Sequence, residues 1–440
     1  MPEYDAVIIG AGPGGYAAAI RLGQKGKKVA LVEKDRIGGE CLNYGCIPSK
    51  ALIEMANSIH YLRSLPGVSL DLRIDMERWQ EWKWNMIRRL TGGVEVLCRS
   101  YGVEIVQGEA RIVDRNTVTV GGRTLSCSNL IIATGSSPVK LRGMEWAMHN
   151  REVLDMKRIP ESIIIVGGGY IGIEIGTALS KLGSSVTIVE MMPSVLPGVD
   201  REIVKLVERR LSELRVNVYT GRKVASAVKE GRVKATLDDG TVLEAEELLV
   251  TVGRTPNTQG FGLENLGLRM DGKFIWTDSR KRTSVDGVWA IGDVTTGPML
   301  AHKAYYEADV VADNICGVDT VVDYRAMPFV IFSDPEVAYT GALEGRATSI
   351  PLAANGRSLG LNETTGAYRL YFDEQGNING GAIVAPHASE MISEISLAVE
   401  SGLNAMDIGL TIHPHPTVSE GIKESAEEQY GKPLHFKPRG

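Results

Sequence analysis

Two of the five cysteines in this chain, Cys41 and Cys46, are separated by four residues in the stretch GGECLNYGCIPSK, close after the glycine pair Gly38–Gly39. The segment IPSKALIEMANSIH that follows reads as a helix with Pro48 near its first turn, which puts Cys46 at the helix N-terminus. Free amide groups and the helix dipole favour a thiolate there and lower the thiol pKa from its usual value of about 8.5. A metal reading would need further Cys or His ligands, and the nearest, His60, lies at the far end of the same helix, so no metal site is expected. The plainer alternative is a pair of reduced, buried cysteines acting as small hydrophobes. The other three, Cys98, Cys127 and Cys316, are too scattered for a secreted disulfide scaffold. In a reducing compartment a close pair points instead to redox or metal chemistry.

Something must position those thiols, and the sequence before them supplies a candidate. YDAVIIGAGPGGYAAAIRLGQKGKKVALVEK runs from an apolar strand through Gly10, Gly12, Gly14 and Gly15 into an alanine-rich helix, then into a second apolar strand ending at Glu33. Gly10-x-Gly12-x-x-Gly15 in that setting is a dinucleotide fingerprint. Its first glycine makes a tight turn, its second lets backbone approach a pyrophosphate, and its third lets helix pack on strand. Glu33 can accept hydrogen bonds from a ribose. SIIIVGGGYIGIEIGTALSKLGSSVTIVEMM repeats the pattern with Gly167, Gly169, Gly172 and Glu190, each 157 residues after its counterpart. A constant offset across three glycines and an acid implies two copies of one unit and therefore two bound dinucleotides. No Arg or Lys occurs in residues 191–200 to receive a 2'-phosphate, which favours NAD over NADP at the second copy.

LIIATGSSP and LLVTVGRTP form a further related pair, but Gly135 and Gly253 are only 118 apart. The first copy thus carries 39 extra residues between Glu33 and Gly135, and the two cysteines fall inside that interval. At 440 residues the chain is long enough for about two to four domains. Its 50 glycines, well above the usual roughly 7%, fit backbone-made binding sites. A net charge of -6 without a long basic run argues against nucleic acid or an anionic membrane as the main partner. No basic leader opens the sequence and no apolar run approaches the roughly 20 residues of a membrane span, so a cytoplasmic protein is expected.

Taken together, GGECLNYGCIPSK, IIATGSSP and VDGVWAIGDVTTGPMLAHKAYYEA resemble the signatures of the pyridine nucleotide-disulfide oxidoreductases, and among them the dihydrolipoamide dehydrogenases. The resemblance covers nearly the whole chain. It implies an α/β fold of two Rossmann-like dinucleotide-binding domains, for FAD and NAD, plus a C-terminal α+β dimerisation domain. The expected division is 1–143 and 266–324 for the two FAD segments, 144–265 for the NAD domain and 325–440 for dimerisation. It also implies that Cys46 lies against the flavin as a thiolate, that Cys41 exchanges with the substrate disulfide, and that Lys50 pairs with Glu174 near flavin N5. Thr134, Gly135, Gly292 and Asp293 fall in FAD segments, and Gly253 in the corresponding strand of the second copy. In LTIHPHPTVSEGIKES the family's acid–base histidine maps onto His415, oriented by Glu420. Thr417-x-x-Glu420 equally fits a helix capping box. The implied partners are a second copy of the chain, completing each site, and the lipoyl domain of a 2-oxo acid dehydrogenase complex or another lipoylated protein.

Two departures stand out. Glu40 replaces the family's usual threonine and is expected to raise the Cys41 pKa, to repel acidic substrates, or simply to face solvent. The segment between Gly341 and Pro351 is too short for the helix the family usually has there. Trp79, Trp82 and Met86 recur at helical spacing and are expected in the core, while Cys98, Cys127, Cys316 and His387 read as packing or surface positions. The rival readings are an NAD(P)H-dependent reductase of another small disulfide, and a weakly active scaffold subunit of a 2-oxo acid dehydrogenase assembly.

Overall fold

The computed structural model describes residues 2–437. The first apolar run forms β1 (Tyr4–Ile9), buried at every position but Asp5, as suits a strand covered on both faces. Pro13 opens α1 (Pro13–Gln24), where its missing N–H has no partner to lose. After β2 (Val29–Glu33), the short α2 (Gly39–Tyr44) leads through Gly45 into α3 (Cys46–Ser64). Asp75 caps α4 (Met76–Ser100) by accepting from the Arg78 N–H. Then follow β3 (Glu104–Gln107), β4 (Ala110–Asp114), β5 (Thr117–Val120), β6 (Arg123–Ile132) and β7 (Ser136–Pro138). Strands β3, β2, β1 and β6 pair in parallel in that order, while the first half of β6 turns antiparallel into β5 and β4.

The second unit contains α5 (Asn150–Leu154), β8 (Ser162–Val166), α6 (Tyr170–Lys181), β9 (Ser185–Glu190), α7 (Arg201–Glu213) and β10 (Asn217–Thr220). An antiparallel meander of β11 (Val224–Glu230), β12 (Arg232–Leu237) and β13 (Val242–Ala245) precedes β14 (Glu247–Val250). Its parallel sheet runs β10-β9-β8-β14. Both ends of α6 lie 157 residues after those of α1, and β9 ends 157 residues after β2, so the sequence repeat is a structural one. Strand β15 (Arg254–Pro256) pairs antiparallel with β7 and ties the two units together.

The chain then returns to the first unit through the small hairpin of β16 (Met270–Asp271) and β17 (Phe274–Ile275). Next comes β18 (Val288–Ala290), which joins β6 in parallel, and α8 (Ala301–Ile315), which packs on α1. The third unit is an antiparallel sheet of order β19-β20-β23-β22-β21, built from β19 (Phe329–Ile331), β20 (Val337–Gly341), β21 (Arg346–Pro351), β22 (Ala367–Phe372) and β23 (Ile378–Val384). It also holds α9 (Gly356–Gly360), α10 (Ala388–Ser401), α11 (Ala405–Leu410) and α12 (Glu420–Glu428). The link from β20 to β21 is only residues 342–345 and contains no helix, yet it must pass two intervening strands. Glycines make that possible. A Cβ on Gly380 would lie 2.5 Å from the Ala342 carbonyl oxygen, and one on Gly345 would lie 2.6 Å from that of Phe372.

One apolar core runs from Leu52, Ile53 and Ala56 of α3 through Ile163, Ile173 and Ile188 of the second unit to Ile331, Val337 and Val384 of the third. Trp79 packs against this core, but Trp82 is 53% exposed, contrary to the core position expected for it. The buried stripe of α4 runs through Met76, Gln80, Lys83 and Ile87 and turns Trp82 outward. Lys83 and Gln80 are tolerated inside because both donate to the Leu154 carbonyl, Lys83 also to Asp155 and Gln80 also to the Met156 carbonyl. Among the described residues no helix is long and apolar enough to cross a membrane.

Candidate active site

The glycine pair before Cys41 has a direct structural role. Gly38 and Gly39 take φ values of 91° and 56°, and a Cβ on Gly39 would lie 2.7 Å from the Gly12 Cα. Only bare backbone lets the cysteine-bearing turn rest on the nucleotide loop. Asn43, buried in α2, locks the turn by donating to the carbonyls of Ile37 and Gly39 at 3.0 and 2.9 Å. Cys41 and Cys46 are joined in a disulfide with their Cα atoms 4.7 Å apart, and Cys46 is the first residue of α3.

Both cysteines line a cavity of about 1390 Å³ that also takes in Gly10, Gly12 and Gly14, the N-terminal turn of α1, Glu33, Lys50, Thr134, Gly135, Glu174, Gly292 and Asp293. A Cβ on Gly12 would meet nothing within 4 Å, so the space before the helix N-terminus is open to a pyrophosphate. A Cβ on Gly15 would strike the Gly10 carbonyl oxygen at 1.8 Å, so that glycine holds α1 against the turn. A cavity of this volume lined by an acid, the N-terminal turn of α1 and the disulfide fits FAD.

Lys50 and Glu174 meet, 124 residues apart in sequence: Lys50 Nζ donates to Glu174 Oε2 at 2.9 Å, and Glu174 is buried. The other carboxylate oxygen, Oε1, accepts the Phe332 N–H at 2.9 Å. Asp293 accepts from Ser136 Oγ at 2.6 Å, and Ser136 in turn accepts from Arg254 Nε at 2.8 Å. Gly292, with φ 74°, donates its N–H to the fully buried Glu307 at 2.6 Å. Glu307 also accepts from Tyr324 and is paired with Lys281 and Lys303 at 2.8 and 2.9 Å. Thr134 Oγ1 donates to the Asn257 carbonyl, which fixes the chain beside Gly135.

Glu40 does not simply face solvent. It accepts from Asn150 Nδ2 at 2.7 Å and from Arg151 Nη2 at 2.7 Å, with Arg254 3.6 Å away. Two guanidinium groups therefore balance its charge, which removes the basis for a large effect on Cys41 or on acidic substrates.

The two fingerprint acids make the same contacts in both copies. Glu33 accepts the N–H groups of Ala11 and Asp35, each at 2.8 Å. Glu190 accepts those of Gly168 and Met192, at 2.7 and 2.8 Å. Each donor pair is again offset by 157 residues. A carboxylate has about four acceptor positions, so both acids retain capacity for ribose hydroxyls. Gly167 and Gly253 have φ of 110° and 116°, a Cβ on Gly169 would meet nothing within 4 Å, and one on Gly172 would strike the Gly167 oxygen at 2.1 Å. Arg222 reaches this strand end through its backbone, but its guanidinium is paired with Asp239 at 2.8 Å.

His415 donates from Nδ1 to Glu420 Oε1 at 2.9 Å, which leaves Nε2 free to act as a base. Glu420 Oε2 accepts the Thr417 N–H at 2.8 Å, so one carboxylate orients the imidazole and braces the turn into α12. Partial burial works against its ionisation, but the Thr417 N–H and His415 hold its carboxyl below the usual range. His413 faces only acceptors, the Thr411 carbonyl and Glu394, each at 3.0 Å, and the hydrogen bond to Glu394 raises its pKa. The His415 side chain is 73% exposed and does not line the cavity that holds the cysteines. The chain alone thus brings Cys41, Cys46, Lys50 and Glu174 together and leaves His415 and Glu420 elsewhere.

Comparison with known proteins agrees with this arrangement. A sequence profile described as pyridine nucleotide-disulphide oxidoreductase matches residues 4–308, and the profile of that family's dimerisation domain matches residues 327–426. The chain belongs to this family. The dihydrolipoyl dehydrogenase of Geobacillus stearothermophilus is 43% identical over 99% of this chain and 98% of its own length. That of Haloferax volcanii is 40% identical over 98% of this chain and 97% of its own. Among solved structures, LpdA of Mycobacterium tuberculosis has a TM-score of 0.90 at 26% identity, covering 96% of this chain and 99% of that one. The HOCl-induced flavoprotein disulfide reductase RclA of Escherichia coli has a TM-score of 0.87 at 26% identity, covering 96% and 99%. Within the pyridine nucleotide-disulphide oxidoreductases the disulfide of Cys41 and Cys46 fits the redox-active pair, and FAD and NAD are the cofactors. Phe332, Ser136 and Arg254 escaped the sequence reading because each acts through a partner distant in sequence, whereas Glu307 had a local signal in the i,i+4 spacing of Lys303 and Glu307 on α8.

Proposed function

We propose that this oxidoreductase transfers electrons from a protein-bound dihydrolipoyl dithiol to NAD through Cys41 and Cys46, as a homodimer in the cytoplasm. The observation that carries the reading is the Cys41–Cys46 disulfide seated on the glycine loop, with Lys50 and Glu174 in the same cavity. Gly10, Gly12, Gly14, Gly15, Glu33, Thr134, Gly135, Gly292 and Asp293 hold FAD, and Gly167, Gly169, Gly172, Glu190 and Gly253 hold NAD. FAD, when bound, supplies the two-electron relay between the cysteine pair and NAD.

The protein's own share is thiol–disulfide exchange. The partner subunit's His415, kept in the right tautomer by Glu420, takes a proton from one substrate thiol. The resulting thiolate attacks Cys41 Sγ, and the Cys41–Cys46 bond breaks with Cys46 leaving as a thiolate. The second substrate thiol then gives its proton to the Cys41 sulfur as it closes the substrate disulfide and releases Cys41, while the first proton stays on the partner subunit's His415 until solvent takes it. One dithiol is oxidised and one disulfide reduced. The N-terminus of α3 and the Lys50 ammonium stabilise the Cys46 thiolate.

Anaerobic two-electron reduction with NADH tests this. The native protein should develop the long-wavelength absorbance of a thiolate beside an oxidised flavin, Cys46→Ser should lack it, and both cysteine variants should lose dihydrolipoamide oxidation. Simple flavin bleaching in the native protein and in Cys46→Ser alike would overturn the proposal.

A further inference from the structure

Lys50 follows Cys46 by one turn of α3, so the ammonium and the sulfur rise from the same helix face. Its surroundings come from all three units. Glu174 on α6 takes the ammonium at 2.9 Å, and the Phe332 ring, just past β19, lies beneath it at 4.5 Å from Nζ to ring centroid. Phe332 acts twice, because its backbone N–H occupies Glu174 Oε1 at 2.9 Å and leaves Oε2 for the lysine. Glu174 is buried and Lys50 only partly so, which means the flexible lysine stem is the member that needs holding. Removing the ring would let the ammonium leave the sulfur's side of the helix while the carboxylate stays in place.

We infer that Phe332 is a positioning residue that holds Lys50 in place beside Cys46 by a cation–π contact. The inference rests on the functional reading above, in which Cys46 becomes a thiolate. A cation–π contact of this kind corresponds to roughly a three- to thirty-fold equilibrium effect.

The test compares the native flavoprotein with Phe332→Leu and Phe332→Tyr. Phe332→Leu should shift the equilibrium for reduction of the cysteine pair against NADH roughly three- to thirty-fold toward the disulfide and weaken the long-wavelength absorbance in proportion. Lys50 should also react correspondingly faster with an amine-directed acylating reagent, read by mass spectrometry of its peptide. Phe332→Tyr, which keeps the ring, should match the native protein in all three readouts. Unchanged Lys50 reactivity in Phe332→Leu, equal impairment of both variants, or a fall in melting temperature alone would overturn the inference. Absence of long-wavelength absorbance in the native protein would instead sink the functional reading, and Lys50 labelling would still decide the role of Phe332.

Discussion

Replacing Gly172 with alanine asks whether the second glycine loop sets NAD affinity independently of the first. A Cβ at that position would stand 2.1 Å from the Gly167 carbonyl oxygen and 2.9 Å from Thr251 Oγ1, and Gly172 does not need a left-handed backbone. Ordinary carbon contacts begin near 3.4 Å, so α6 must withdraw by at least about 1.3 Å from the loop it abuts. Overpacking of this kind costs about 1–3 kcal/mol. If the displacement falls on the nucleotide-binding geometry, NAD binding weakens about 5- to 150-fold. The assay is the KM for NAD at saturating dihydrolipoamide, with FAD content followed by the ratio of visible to ultraviolet absorbance. The expected result is a raised KM with FAD content unchanged. Gly15→Ala, whose Cβ would meet the Gly10 oxygen at 1.8 Å, should do the converse and shed FAD. A Gly172→Ala protein with native KM, or one that loses FAD as readily as Gly15→Ala, would refute the reasoning.

Three further outcomes are expected. Glu307→Gln should cost about 3–5 kcal/mol in urea unfolding, because it strands Lys281 and Lys303 in a fully buried site, and a loss below about 1 kcal/mol would contradict that account. Glu420→Gln should lower kcat by about 10²-fold or more with FAD content intact, since His415 would lose the carboxylate that orients its ring, and unchanged kcat would exclude the orienting role. His413 has a raised pKa, so its contribution to stability is complete below about pH 6.5 and fades as pH rises through the folded-state value. Melting temperatures of the native protein and Glu394→Gln should therefore diverge at low pH and converge at high pH, and parallel profiles would rule this out.

What could be read from the sequence was what lies close in sequence or repeats. The 157-residue offset gave both nucleotide loops, and the structure repeats it in helix ends and in the hydrogen bonds of Glu33 and Glu190. Pro48 and the spacing of the cysteines placed Cys46 at a helix start, where it is found. The short segment after Gly341 showed that a helix was missing, but not that Gly380 and Gly345 carry the link over the sheet. Lys50 and Glu174 came only from resemblance to a family, because no periodicity joins residues 124 apart. Glu40 was misjudged for the same reason: its neighbours in sequence do not reveal Arg151 and Arg254, which neutralise it. Trp82 went wrong on phase, since helical spacing fixes a stripe but not which side of the helix meets the core.

Within one chain His415 stands apart from the cavity of the cysteines, and this separation has a genetic consequence. With each site completed by the partner's His415, as proposed above, a Cys41→Ser chain and a His415→Gln chain should each be inactive as homodimers, yet fail in different halves of the site. In a mixed dimer one site receives both lesions and the other receives neither. Random reassortment of equal amounts should therefore restore activity to about a quarter of the native level, because half the dimers are mixed and half their sites are whole. Two null alleles of this gene, carried together, would complement each other.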